Sequence, residues 1–390
     1  MTTPGIDRKL NIFVAHPSGL LTDCRPNGDG LLAFGFIQHL AERGHRLLVA
    51  VERSDIAGRL PDNVVLHHIG DSDAPTPRPL FMYRMRRLFN RLNRAERFDL
   101  VHQLNPVFAG LSLALIGTRT PIVLGTYIPY WPSAPDGSFW SAIHWRMAET
   151  VKRAVAALQQ RYASALLLTT PAARERISGG ASAARKTFML PNGIDAASFA
   201  PADSDGDGLT IVSLCGLGHR KGADVLLEAF KAVASAVPEA SLTIGGAVTE
   251  SEIEQARRRL GSAANRVEFI GAVSRQELPD LLRRSSVFAM PSYQEPYGMA
   301  ALEAMASGLP VVASDSGGLA YLVPEEGGKK VPEGSATAFA TALVELLRDR
   351  ELRRRCGTYN RVLVLQQFSW PVVIERLESI YATVLRCSQR

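Results

Sequence analysis

Short, almost uninterrupted apolar runs alternate with longer amphipathic stretches along this chain, and that alternation restricts its fold more than any other feature. LNIFVAH (10–16), RLLVAVE (46–52), DLVHQL (99–104), PIVLGTY (121–127) and ALLLTT (165–170) read as buried strands. TIVSLCG (210–216), ASLTIGG (240–246), RVEFIG (266–271), VFAMPS (287–292) and PVVAS (310–314) repeat the pattern in the second half. Continuous apolar strands separated by helices imply parallel sheets covered on both faces. Two such sets in 390 residues imply two doubly wound α/β domains. The expected boundaries are 1–200 and 208–370, with the polar, Gly-rich PADSDGDG (201–208) as linker. The last stretch, FSWPVVIERLESIYATVL (368–385), reads as a helix with an apolar stripe and Ser369 as a candidate N-cap.

Composition narrows the class. The chain is 46% hydrophobic and 21% charged, the balance of a soluble globular protein. No run of about 18 apolar residues predicts a membrane span. The opening MTTPGIDRKLNIFVA lacks a signal peptide's long apolar region. Cys24, Cys215, Cys356 and Cys387 are scattered, which suits reduced thiols and a cytoplasmic setting. A formal net charge of +6 favours anionic partners such as nucleotides, sugar phosphates or lipid head groups.

Three stretches carry candidate chemistry, and a fourth imitates it. In DSDGDG (203–208), Asp203, Asp205 and Asp207 match the start of a calcium loop, but the twelfth position is Leu214 instead of Glu, so a solvated linker is the better account. GDGLLA (28–33) fits G-x-G-x-x-A, with Glu52 ending the next strand. Twelve residues separate it from its strand, so a dinucleotide fingerprint is a poor fit, while a phosphate loop using Gly28 and Gly30 and a purely structural loop both stay open. In SLCGLGHRKGADVLLEAF (213–230), Arg220 and Lys221 precede an apolar-periodic helix. Two cations at a helix N-terminus suit a pyrophosphate; the alternative is a solvated basic turn.

The densest stretch is EPYGMAALEAMASGLPVV (295–312). Pro296 keeps Glu295 extended ahead of a helix that Gly308 stops, and Glu303 lies inside that helix. The end follows a strand, so it lies at the carboxyl edge of a parallel sheet, where such folds bind ligands. A carboxylate beside the helix-terminal amides of Tyr297, Gly298, Met299 and Ala300 suits a polyhydroxyl ligand bearing an anion. A metal site would need more carboxylates or histidines close in sequence.

The run E-P-Y-G-x4-E-A-M-A-x-G-x-P-V-V-A-S-x-x-G-G resembles the retaining GT-B glycosyltransferases of family 4, the glycosyl transferases group 1. PNGID (191–195), GHRKGADVLLEAF, RVEFIGAVSRQELPDLLRRSSVFAMPS and the C-terminal FSW with its helix agree; before about residue 187 the likeness is mainly architectural. The resemblance implies two Rossmann-like domains facing across a cleft: an acceptor-binding domain, with the helix at 371–390 crossing back onto it, and a donor-binding domain. It implies sugar transfer from a nucleotide-diphosphate donor, UDP first among them, to a hydroxyl acceptor, with front-face retention. It also implies no metal and no cofactor beyond the nucleotide-sugar co-substrate. Glu295 would hold donor-sugar hydroxyls, Glu303 the ribose hydroxyls, and the amides of residues 297–300 the sugar and diphosphate. Lys221 would balance the leaving diphosphate.

Two departures accompany the resemblance. Gly216 is followed by Leu217 where the family usually has Arg, so Arg220 would supply that cation. Ile128 stands near the place of a family His, leaving His16 and His102 as alternative cleft groups or structural histidines. RPLFMYRMRRLFNRLNRAERF (78–98) interleaves Leu80, Met85, Leu88, Phe89 and Leu92 with seven arginines. It reads as a surface helix with one core stripe or as a peripheral contact with the inner face of a membrane. The acceptor, whether small molecule, glycan or lipid-linked, is not legible, nor is the oligomeric state; no nucleic-acid partner is expected. A related GT-B enzyme of another reaction type, such as a pseudo-glycosyl coupling enzyme or an epimerase, and a non-catalytic nucleotide-sugar binding module remain alternatives.

Overall fold

The computed structural model describes residues 8–15, 19–25, 27–71, 75–104, 110–129, 139–178, 180–201 and 209–388. The chain divides into two units, 1–193 with 370–390, and 194–369. The division thus falls before the stretch expected as linker, of which residues 202–208 lie outside the described residues.

The strands of the first unit are β1 (Asn11–Ala15), β2 (Leu21–Thr22), β3 (Arg46–Val51), β4 (Ser54–Asp55), β5 (Val64–His68), β6 (Leu100–Gln103), β7 (Ile122–Tyr127), β8 (Ala165–Leu168) and β9 (Thr187–Met189). Seven of them form one sheet in the order β5-β3-β1-β6-β7-β8-β9, parallel throughout. The second unit holds β10 (Thr210–Ser213), β11 (Ser241–Gly245), β12 (Val267–Gly271), β13 (Val287–Met290), β14 (Val311–Ser314) and β15 (Gly328–Val331). Their order is β12-β11-β10-β13-β14-β15, again parallel. Every strand expected from an apolar run is present. The unforeseen members, β5, β9 and β15, are edge strands. Their patterns, VVLHH, TFM and GKKV, are only partly buried, so no continuous apolar run announced them.

Strand geometry explains the double cover. Successive side chains point to opposite faces. In β1, Ile12 and Val14 enter one core of the first unit, and Phe13 and Ala15 the other. In β10, Ile211 and Val212 split in the same way. Each face is closed by amphipathic helices. Helix Gly28–Glu42 ends at Arg43, with Gly44 beyond it at φ 87 donating to the Ala41 carbonyl at 2.7 Å.

The C-terminal helix Trp370–Ser388 belongs to the first unit and buries Val373, Ile374, Leu377 and Tyr381 there. Trp370 packs edge-on against Phe36, ring centroids 5.1 Å apart, and beside His39 at 5.0 Å. Glu378 binds Arg43 at 2.8 Å and His45 at 2.9 Å. Ser369 immediately precedes this helix, and its hydroxyl donates back to the Leu365 carbonyl at 2.9 Å.

Helix Arg78–Glu96 corrects one reading of its sequence. Met85, Leu88 and Phe89 are buried in the core with Phe81, and Leu92 is half-buried against it. Of the five apolar residues that suggested a membrane stripe, Leu80 alone is exposed. The sheet needs a cover, and this stripe supplies it.

Candidate functional site

The site residues of the second unit gather at the carboxyl edge of its sheet. Strand order reverses between β10 and β13, which are neighbours although two strands lie between them in sequence. The loops leaving such a pair diverge and open a crevice. Lys221 follows β10 and Glu295 follows β13.

Local structure aims each of them. After β10 the chain makes a short turn, His219–Lys221, then passes through Gly222 into helix Ala223–Ala236. Gly222 has φ 73, and a Cβ there would sit 2.0 Å from the Pro291 carbonyl oxygen, so the loop comes this near β13 because the residue is glycine. Tyr293 then donates its backbone N–H to the Arg220 carbonyl at 2.9 Å, stitching the two loops together. The Lys221 ammonium reaches the Glu295 carboxylate at 2.7 Å. Glu295 is 7% exposed, and its own carbonyl accepts from Gly318 at 2.7 Å. Arg220 is exposed on the same turn.

Helix Met299–Ala306 begins four residues after Glu295. Gly298 caps it at φ 96, with no side-chain cap. Tyr297 is buried, and Met299 and Ala300 are half-buried. The chain leaves the helix through Gly308, at φ 75. Glu303 lies in the body of this helix, buried, with Arg275 donating to its carboxylate at 2.6 Å. Arg275 follows β12, and its guanidinium also lies 5.3 Å from the centre of the Phe199 ring. Burial pushes the Glu303 carboxyl above the usual range, and Arg275 opposes that rise.

Arg275 is the functional candidate that sequence reading missed. It lies inside RVEFIGAVSRQEL, but nothing in the local pattern separates it from its exposed neighbours, and only the return of β12 beside β11 brings it to Glu303. His219 and Tyr293 form a second unforeseen group, their rings 5.0 Å apart, with the Tyr293 hydroxyl donating to Asp224 at 3.2 Å.

The first unit treats its candidates differently. His102, on β6, is 1% exposed. Its Nε2 donates to the Gly125 carbonyl at 3.2 Å, since a carbonyl only accepts; Nδ1 therefore accepts from the Tyr381 hydroxyl at 2.6 Å. Burial lowers its pKa to about 4, so the ring is neutral. This corrects the expectation that His102 is a cleft group: both nitrogens are bound inside the core. Gly30 lies in the first turn of helix Gly28–Glu42, where its N–H donates to Asn27 Oδ1 at 2.9 Å. A Cβ on Gly30 would lie 2.2 Å from the Leu20 carbonyl, so close packing accounts for this glycine. Gly28, at the same helix start, is exposed. His16 lies outside the described residues.

Comparison with known proteins agrees with this architecture. The family model for glycosyl transferases group 1 matches residues 196–362, and that for glycosyltransferase family 4 matches residues 26–198. A phosphatidylinositol N-acetylglucosaminyltransferase component of Arabidopsis thaliana is 31% identical over 53% of this chain and 46% of that protein. The sulfoquinovosyl transferase of the same plant is 26% identical over 88% of this chain and 68% of its own length. The chain spans about half the length of the first relatives it matches, 46% and 55%. The solved structure of HepE from Anabaena in complex with UDP superposes with a TM-score of 0.74 at 20% identity, covering 96% of this chain and all of that one. With two parallel-sheet α/β units and both family models matched in order along it, the chain belongs to the group 1, family 4 glycosyltransferases and has their GT-B fold.

Proposed function

We propose that the chain transfers a sugar from a nucleoside-diphosphate donor to a hydroxyl acceptor with retention at the sugar carbon. The carrying observation is the Lys221–Glu295 pair at the β10/β13 crevice, 2.7 Å apart, with Glu303 set on the helix that follows. Glu295 accepts from donor-sugar hydroxyls and, through its contact with Lys221, keeps the ammonium turned to the crevice. Lys221 stabilises the charge that builds on the departing diphosphate, which is transition-state stabilisation by a group already in place. Glu303, held by Arg275, accepts from the ribose hydroxyls. The acceptor oxygen forms a bond to the anomeric carbon as the bond from that carbon to the diphosphate breaks, and the acceptor proton passes to a phosphate oxygen on the same face. No step in this scheme uses a metal.

UDP is the first donor nucleotide to try, because Anabaena HepE was solved with it. A lipid-linked acceptor is the first acceptor class to try, because the first relative is named for phosphatidylinositol. The experiment has two arms. A thermal-shift panel of nucleotide sugars should raise Tm for a true donor by mass action. Adding acceptor should then release free nucleoside diphosphate, and Glu295→Gln should slow that release about 100- to 1000-fold with the fold kept. Wild-type turnover in Glu295→Gln would remove the assigned role. Donor binding with no diphosphate release across the acceptor panel would leave a binding module.

A further inference from the structure

Helix Phe139–Tyr162 carries an apolar stripe on its outside. Met147 is 64% exposed, Val151 62%, Leu158 45% and Tyr162 52%. At 100° per residue, these four and the half-buried Val155 fall within an arc of about 80°. The stripe is therefore one continuous helical face, unlike the buried stripe of helix Arg78–Glu96. Beside it runs a groove of about 540 Å³, lined by Pro79, Met82, Leu113, Val151 and Val155, with Arg78 and Lys152 at its margin.

The charges around this face are one-sided. The described side chains of the helix include Arg146, Lys152, Arg153 and Arg161 against the single carboxylate Glu149. Glu149 lies 3.7 Å from Lys152 and 3.8 Å from Arg153, so it offsets part of that charge. Arg78 adds an exposed cation from the neighbouring helix. A large exposed apolar face marks an interaction surface. A second copy of this chain would bring cations against cations. An anionic lipid surface answers both features: acyl chains take the stripe, and phosphate head groups take the flanking cations.

We propose that the outer face of helix Phe139–Tyr162, with its adjoining groove, docks on an anionic bilayer surface. The inference deepens the lipid-acceptor reading above and rests on it for its purpose, but vesicle binding is measured with no donor or acceptor present, so the two can fail separately. Among the described residues no helix is long and apolar enough to cross a membrane, which leaves surface attachment as the mode for this face.

The test is cosedimentation of the full chain with phosphatidylcholine vesicles, with and without phosphatidylglycerol. Partition onto the anionic vesicles should be at least about tenfold stronger. Met147→Ser with Val151→Ser should lower it about tenfold, as should Lys152→Glu with Arg153→Glu. Arg257→Glu with Arg258→Glu, exposed cations on helix Glu250–Leu260 of the other unit, should leave it unchanged. All these variants should keep nucleoside diphosphate release with a soluble acceptor. Equal binding to neutral vesicles, no binding to either, or insensitivity to the Met147 and Val151 changes overturns the proposal. So does a dimer by light scattering that Met147→Ser with Val151→Ser turns into monomer, because the stripe would then be covered by a second copy.

Discussion

The two units share one architecture and use their polar side chains in opposite ways. In the first, His102 binds Tyr381, and Arg43 and His45 bind Glu378, which holds the C-terminal helix to its own sheet. In the second, Lys221 binds Glu295 and Arg275 binds Glu303 at the carboxyl edge, beside the crevice. An ion pair or a buried histidine therefore says little about function until its place on the sheet is known. Groups that tie a helix into the core are structural, and groups gathered at the carboxyl edge of the sheet are available to a ligand.

The widest separation between the units should come from Glu295→Gln and Lys221→Ala. Each is expected to lower kcat about 100- to 1000-fold, and the near-isosteric Glu295→Gln should leave the melting temperature nearly unchanged. A large loss of stability with intact turnover would reverse the distinction. Trp370→Ala should do the opposite in the first unit. Removing an indole packed on Phe36 and His39 should cost about 3–5 kcal/mol of stability by denaturant unfolding. Nucleotide-sugar binding by the molecules still folded should be kept.

Acid should expose the buried histidine. The folded pKa of His102, about 4, is depressed from its ordinary value of 6.5. The unfolded chain then takes up a proton that the fold refuses. The stability tied to this neutral ring is complete above pH 6.5 and is lost as pH falls toward 4. The loss should be on the order of 3 kcal/mol at the acid end. In His102→Asn, the slope of Tm against pH in that window should flatten; an unchanged slope would refute the assignment.

The smallest expected effect sharpens the comparison most. Arg275→Ala removes the cation that opposes the raised pKa of Glu303. That pKa should rise further, so the protonated form, which accepts less well from ribose hydroxyls, persists to higher pH. Donor KM should rise about tenfold at neutral pH, with kcat little changed. Its acid limb should shift to higher pH, and Arg275→Lys should restore most of the affinity. A fall in kcat with KM unchanged would mean that Arg275 does not act through Glu303.

The second unit was the more legible in sequence because each of its two main site segments carries its own local marks. Pro296 and the small-residue helix after it place Glu295 and Glu303 within one short segment, and Gly222 follows Lys221 directly. Arg275 was hidden because nothing in its local pattern marks it, and it meets Glu303 only when the strands are ordered. In the first unit His102 stayed open between a cleft group and a structural histidine for a related reason. A histidine near the end of a strand looks the same in sequence whether it faces solvent or the core, and the partner that decides, Tyr381, comes from the last helix. The arginine-rich stretch at 78–98 left two readings open for the same reason: helical periodicity reveals a stripe but not which neighbour covers it.

The double set of parallel sheets, the helix start at residues 295–303 and the glycines around it can be read from residue order alone. These follow from periodicity, proline and glycine stereochemistry, and the short range of backbone hydrogen bonding. Tertiary structure alone decided which charges pair, which histidine is buried and which apolar stripe stays exposed. Each of those depends on the strand order and on which segments, distant in the chain, are brought within a few ångströms of one another.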